Sequence, residues 1–593
     1  MEGPYKLQKH KCRFVTILPL YSDKVPGDLF YAAEKKPDLT EFPYPLPSAP
    51  DSYTCEAVTA DGIHWYGSPT GVTAYDPAAE RASFRVMYFS AQRYLPDNEV
   101  KSMYADGTVI WVQCRTGVAR IEMREITCEE KAKLLLAETR KAVDRRGMVT
   151  GKHLNEPRNI DSAVSYGHSD NDGCFTAAYA IGEMFHYAYC KREKGPNAPD
   201  TMNAKALAYR ACEACLLLMY ISGRGDGFVA RTYLAPDEPL PDDGLFFEKQ
   251  EDGTAVCLNT NAARERGMVG MKVKASEPVP ARLARLYRSL GYSDVGIRYK
   301  GDTSSDELTL HFLNMMYAYD LLCDEDEELR ELIVTACRNL MNHIIDNGYM
   351  LLEADGKPTT WARWNPGYFA TPTGWADACL NAAELLMYLK VTMHITGEAG
   401  KWQQHYNKLI KEYHYDELPL LHLDRFTHMA YSFGNDCAEE LMYGDNMLAV
   451  CTFWGLIGLE DNPVLKEKYR KALRTWDHTL LREVNPGYLY PCKLVCPDYP
   501  LDEEAVADWF YHNNVSRLEA GINMVRRDQP RRTMFGGGYE TSWLMQPDEL
   551  PIDRYDRNCN AYSENIQGNL QSVESCYVYT FAYWLGKYYG FID

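Results

Sequence analysis

From Thr127 onward the chain repeats one kind of unit, and that unit limits the possible folds more than any other feature. A long apolar run rich in aromatics is followed by a short acidic or glycine turn and then by an amphipathic run. "FTAAYAIGEMFHYAYCKREK" leads into "AKALAYRACEACLLLMYISG". The same order recurs in "LTLHFLNMMYAYDLLCDEDEELRELIVTACRNLMNHIIDNG" and "ADACLNAAELLMYLKVTMHITGEAGKWQQHYNKLIKEYH", and again in "NMLAVCTFWGLIGLEDNPVLKEKYRKALRTWDHTLLRE". The first helix starts at Thr127, whose spacing to Glu130 is that of a capping box, and ends at Gly147. With segments at 502–520 and 567–590 the helices number about twelve. A helix that is apolar all round is buried, and one with a single wet face lies outside it. The pairs therefore predict a mainly α fold over residues 126–593, an (α/α)6 toroid of six helical hairpins in two concentric layers. An α-solenoid would show a tighter repeat of about 34–47 residues.

Residues 1–125 read differently. Turn signals every eight to twelve residues, among Pro, Tyr, Val and Thr, predict short strands. "DGIHWYGSPTGVTAYD" aligns with "DGTVIWVQCRTGVARIE", placing Trp65 against Trp111 and Gly71 against Gly117, both 46 residues apart. That period suits propeller blades, and the pattern resembles the blade repeat of two-component-regulator propellers. Two blades cannot close a propeller, because each open edge would stay unpaired. The expectation is a small β-rich appendage over 1–125.

Composition excludes several partners. A net charge of −20 repels a phosphate backbone, so no nucleic-acid binding is expected. No run of about eighteen apolar residues predicts a membrane span, and the N-terminal "FVTILPLY" is too short for a signal peptide core and reads as a strand. Eighteen cysteines without an export signal point to reduced thiols in a cytoplasm. Cys212 and Cys215 sit inside a helical apolar run, and Cys492 and Cys496 have no second pair nearby, so neither has zinc-ribbon spacing. No metal and no organic cofactor are expected.

The loops are asymmetric. Those leading into the apolar helices are rich in polar and aromatic residues: "YGHSDNDG" (166–173), "RYKGDTSSDE" (298–307), "WARWNPGYFATPTGWAD" (361–377), "FTHMAYSFGNDCAEE" (426–440), "NPGYLYP" (485–491) and "YDRNCNAYSENIQG" (555–568). The opposite loops, such as "CDEDEEL" and "TGEAGK", are short and merely polar. Long polar loops gathered at one end suit a binding rim. Its carboxylates are Asp170, Asp172, Asp302, Asp306, Glu307, Asp377 and Asp436. Helix capping accounts for an aspartate at Asp172, Asp306 or Asp377 equally well. Asp170 and Asp172, two residues apart, would repel one another and raise one pKa. The aromatics Trp361, Trp364, Trp375, Tyr166 and Tyr299 offer faces for a sugar ring, and Arg298, Lys300 and Arg363 offer donors to an acidic sugar.

The motifs "SDNDG", "KGDTSSDE" and "YWLGKYYGFI" resemble an uncharacterised bacterial family, and the hairpin pattern over about 130–593 resembles the six-hairpin carbohydrate-active enzymes, unsaturated glucuronyl hydrolases among them. The resemblance implies a glycan-cleaving enzyme, with an oligosaccharide as substrate. Hydrolysis needs one carboxyl group to protonate the leaving oxygen and a second to activate water or attack the sugar. Asp172 and Asp302 are the first expected pair, with Asp170 and His168 beside them. Asp306 and Glu307 are expected to bind substrate. A lyase would instead use a tyrosine or histidine base, for which "FYHNNVSR" offers Tyr511 and His512. A non-catalytic sugar-binding module is the third expectation.

Overall fold

The structure is a computed structural model that describes residues 3–31, 53–166, 170–422, 445–477, 480–481, 484–520 and 570–593. His168, Asp436 and the loop 426–440 lie outside the described residues, as does the loop 555–568.

Among its described residues the N-terminal region holds eight strands: β1 (His10–Leu18), β2 (Cys55–Val58), β3 (His64–Ser68), β4 (Gly71–Tyr75), β5 (Val86–Phe89), β6 (Val100–Asp106), β7 (Val109–Cys114) and β8 (Val118–Ile126). They form two four-stranded antiparallel sheets, ordered β2-β3-β4-β5 and β1-β8-β7-β6. The repeat seen in the sequence is one hairpin used twice, with Trp65 opposite Ala74 and Trp111 opposite Arg120. The two tryptophans nevertheless pack into different clusters. Trp65 lies between the sheets with Phe89 and Ile110, whereas Trp111 packs with Leu29 and Val118.

Numbered over the described residues, the helices are α1 (Cys128–Ala142), α2 (Asp172–Lys194), α3 (Pro199–Tyr220), α4 (Asn261–Glu265) and α5 (Ala281–Arg288). They continue with α6 (Ser305–Leu322), α7 (Glu327–Asp346), α8 (Pro366–Phe369), α9 (Pro372–Thr396) and α10 (Ala399–Tyr413). The last five are α11 (Asp445–Leu459), α12 (Pro463–Arg474), α13 (Pro486–Val495), α14 (Glu503–His512) and α15 (Tyr577–Tyr589). The capping box of α1 forms: Glu130 N–H donates to Thr127 Oγ1 at 3.1 Å, and Thr127 N–H donates to Glu130 Oε2 at 2.7 Å. Helices α2, α6, α9 and α11 are buried on nearly every side. Helix α2 packs on α6, α6 on α9, α9 on α11, α11 on α13, α13 on α15, and α15 back on α2. Glycine permits that last contact, since a Cβ on Gly182 would stand 2.9 Å from Phe581 Cα.

The expectation of a mainly α toroid is overturned. The protein is about 47% helical and 18% strand, a mixed α/β fold with five sheets among the described residues. Three of those sheets interrupt the helices. Strands β9 (Gly151–Leu154), β10 (Ala163–Tyr166) and β18 (Ser572–Glu574) form one, in the order β10-β9-β18. Strands β11 (Tyr233–Leu234), β12 (Phe246–Lys249), β13 (Thr254–Cys257), β14 (Lys272–Lys274) and β15 (Arg298–Lys300) form a five-stranded sheet, ordered β11-β15-β12-β13-β14. Strands β16 (Met350–Leu352) and β17 (Pro358–Arg363) pair on their own. Strands this short carry too few residues for an alternating pattern to register, so they read as loop.

Helix α1 is joined to α14 by polar contacts. Lys131 is fully buried, and its Nζ donates to the carbonyls of Phe510, Tyr511 and Asn513 at 2.9, 2.8 and 2.8 Å. Those carbonyls lie at the C-terminal end of α14, where a helix leaves acceptors without intrahelical partners. Lys131→Met is expected to leave them unpaired and to lower stability by about 2–3 kcal/mol. A urea titration checks this; an unchanged midpoint would mean that water replaces the ammonium. Among the described residues, no helix is long and apolar enough to cross a membrane.

Candidate functional site

The beginnings of α2 and α6 are linked by a polar network through Arg231, and Thr309 of α6 reaches Glu384 of α9. Thr232, just before β11, and Arg145, after α1, hold Asp172 at the start of α2. Arg145 Nη2 donates to Asp172 Oδ2 at 2.7 Å, and Thr232 Oγ1 donates to the same oxygen at 2.6 Å. Asp172 is 1% exposed. It is thus enclosed and committed to an ion pair, which corrects its expected catalytic role. The repulsion expected between Asp170 and Asp172 is relieved, because the two carboxylates have separate cations. Asp170 is 59% exposed and pairs with Lys300.

Arg231 is the centre of the rim. Its Nε donates to the Asp170 carbonyl, and its Nη2 donates to Asn171 Oδ1 at 3.2 Å. Arg231 Nη1 stands 4.0 Å from Asp170 Oδ1, and Nη2 stands 4.0 Å from Asp306 Oδ2. Asp306, in the first turn of α6, is 42% exposed. One nearly buried guanidinium therefore lies between two wet carboxylates. Lys300 Nζ also stands 3.9 Å from Asp302 Oδ2, while Asp302 Oδ1 accepts from Leu245 N–H at 2.9 Å. Asp302 thus joins Asp170 through a shared lysine, but its companion is not Asp172.

Beneath the rim, Glu307 is fully buried and Oε2 accepts from Cys174 N–H at 2.9 Å. His311 Nε2 stands 3.6 Å from the same oxygen. Burial raises the Glu307 pKa, and His311 opposes that rise. Gly173 leaves room for this pair, since a Cβ there would stand 2.2 Å from Glu307 Oε2 and 2.6 Å from His311 Nε2. Glu307 is therefore a buried partner of α2, enclosed where the sequence suggests contact with substrate.

On the other face of α6, Glu384 of α9 is buried. Trp364 Nε1 donates to its Oε2 at 3.0 Å and Thr309 Oγ1 to its Oε1 at 3.0 Å. Burial, reinforced by the nearby charges of Asp306 and Asp445, pushes its pKa up to about 8. The folded state then holds a proton that the unfolded chain releases near 4.5, so between about 4.5 and 8 the native state binds more protons and stability falls as pH rises. Glu384→Gln, which mimics the protonated form, is expected to remove up to about 1.4 kcal/mol of stability loss per pH unit in that window. Melting temperatures of both chains across pH 4.5–8 check this; parallel curves would mean that Glu384 is not protonated in the folded protein.

The aromatics divide. Trp361 is 52% exposed and Trp375 43%, on β17 and in the first turn of α9. Asn381 of α9 donates to the Trp361 and Arg363 carbonyls at 3.5 and 3.2 Å, which ties β17 to the network. Trp364 is buried, so it orients Glu384 and offers no face to a sugar. Tyr299 is buried too, stacked on Phe247 with ring centroids 5.8 Å apart. Arg298 donates to Glu248 Oε2 at 2.9 Å, and Arg363 donates to the Thr359 carbonyl at 2.5 Å beside Tyr368. Asp377 accepts from Tyr368 O–H at 2.5 Å. Tyr166 ends β10 opposite Lys152.

Tyr511 and His512 belong to a different part of the molecule. The Tyr511 hydroxyl oxygen accepts from Gln8 N–H at 2.8 Å and its ring packs on His10, while His512 stacks on Phe84 at 4.3 Å. Both are buried where α14 meets the N-terminal sheets. Cys212 and Cys215 are buried in α3, and burial raises both thiols. Among the described residues no group of three or more His, Cys, Asp or Glu is placed to hold a metal ion.

Sequence reasoning missed Arg231, Glu384 and His311. A lone carboxylate inside the apolar run "NAAELLMYL" was a usable signal for Glu384. Arg231, in "FVARTYL", carried none. No protein-family model matches the chain, and no curated protein matches it.

Proposed function

We propose that the rim around Arg231 cleaves glycosidic bonds by hydrolysis, with acidic oligosaccharides as substrates. The observation that carries this reading is Arg231 lying between the exposed carboxylates of Asp170 and Asp306, each 4.0 Å from a terminal nitrogen of the guanidinium. Two carboxyl groups flanking one position are what glycoside hydrolysis requires. Asp170, paired with Lys300 and close to Arg231, activates water. Asp306 donates the proton to the leaving oxygen. Arg231 faces the carboxylate of a uronate, and exposed Trp361 and Trp375 offer stacking faces. The reaction is proposed to run without a metal or organic cofactor. We place it in the cytoplasm, on the ground that every described cysteine is a free thiol.

The elimination reading has less support, because Tyr511 and His512 are enclosed by packing. A panel of neutral and uronate-bearing oligosaccharides separates the possibilities. Hydrolysis predicts new reducing ends, a preference for uronates and no ultraviolet-absorbing double bond. Appearance of that absorbance would make the protein a lyase. Sugar binding without any cleavage would make it a binding module.

A further inference from the structure

A groove of about 500 Å³ lies between α3 and α5, and its lining residues all fall within the described stretch 170–422. Met202, Lys205, Ala206 and Tyr209 recur three and four positions apart, so they share one face of α3. The other wall comes from Arg285 and Leu286 of α5. An aliphatic and aromatic floor therefore meets solvent here, with Met202 53% exposed.

The cations around the groove differ in how far they are committed. Arg210 Nη2 stands 2.8 Å from Asp144 Oδ1, and Arg282 Nη1 stands 2.6 Å from Asp326 Oδ1. Arg285 Nη2 donates to both oxygens of Glu213, at 2.8 and 2.7 Å, and Glu213 is 1% exposed. That anchor holds the guanidinium in place, while Arg285 Nε and Nη1 donate to no acceptor among the described residues. Arg282 Nε donates to Glu213 too, at 2.8 Å, so this carboxylate is divided between two arginines. Lys205 pairs with no carboxylate among the described residues, and its Nζ stands 5.5 Å from the centroid of the Tyr209 ring and 5.9 Å from that of Tyr187.

One free ammonium and one half-committed guanidinium beside an apolar floor suit a ligand with a single negative head and a hydrocarbon body. A multivalent anion would need more uncommitted cations than the groove offers. A carboxylate matches the flat donor edge that Arg285 has left, and an anchored guanidinium loses little freedom on meeting it. The volume is that of a small-ligand pocket. We propose that the groove binds an amphiphilic monocarboxylate, with its head on Lys205 and Arg285 and its chain along Met202, Ala206, Tyr209 and Leu286. The site shares no residue with the Arg231 rim.

Calorimetric titration of the full chain with octanoate and, separately, with 1-octanol at low ionic strength tests the proposal. One saturable octanoate site is expected, at least about tenfold tighter than octanol, with the advantage shrinking as salt is raised. Lys205→Met keeps the apolar stem and removes the charge, so octanoate is expected to bind about fivefold more weakly while octanol is unaffected. Ala206→Trp fills the groove from an exposed helix position and is expected to weaken both ligands at least about tenfold. Should Ala206→Trp also lower the melting temperature, Lys205→Met decides alone. Absence of saturable octanoate binding at millimolar concentration, octanol binding as tight as octanoate, or equal octanoate affinity in Lys205→Met overturns the proposal.

Discussion

An Asp172→Asn chain is expected to lose about 3–5 kcal/mol of stability. Asparagine keeps the shape of the side chain, so no cavity opens and the change isolates the charge. What remains is a buried Arg145 guanidinium whose 2.7 Å partner is gone. Glu238 stands 3.9 Å from Arg145 and already pairs with Arg146 at 2.7 Å, so it compensates only in part and favours the lower end of the range. Urea denaturation followed by circular dichroism measures the loss. A decrease below about 1 kcal/mol would mean that the ion pair is hydrated or replaced, and that Asp172 is not structural.

Asp306→Asn is expected to do the reverse, lowering turnover roughly 10²–10⁴-fold while stability stays within about 0.5 kcal/mol. The side chain is half-exposed and its nearest cation among the described residues is Arg231 at 4.0 Å, so little folding energy depends on it. The same substitution removes a charge that raises the Glu384 pKa, so the window in which stability falls with pH should keep its lower edge near 4.5 and end at a lower pH. A kcat within about threefold of the parent would remove Asp306 from the chemistry, whatever happens to KM.

Much of the helical part was legible because its signals are local. Thr127 and Glu130 lie one turn apart, and the apolar and amphipathic runs each declare their own exposure. The inserted sheet between α3 and α6 was hidden, since a strand such as Tyr233–Leu234 is recognisable only through its partner Arg298–Tyr299. Site residues followed the same rule. Asp306 was legible as a polar residue at a helix start, but its meaning depends on Arg231, which no nearby pattern marks. Asp172 and Glu307 were chosen by residue type and position, and their enclosure by Arg145 and by His311 is a property of packing that no motif displays. Trp364 was misread for the same reason: indole suits a sugar face and a buried hydrogen bond equally, and only contact with Glu384 decides between them.

The seam between α2 and α15 governs the order in which the molecule can be completed. Arg192 donates to the Tyr588 carbonyl at 2.9 Å across 396 residues of chain, and Gly182 meets the backbone of Phe581 in the same seam. During synthesis on the ribosome, α2 emerges long before the helix that covers one of its sides. Its oily flank must wait, exposed to the cell, until α15 has emerged. Shortened products lacking α15 should therefore be the ones that chaperones hold and proteases clear.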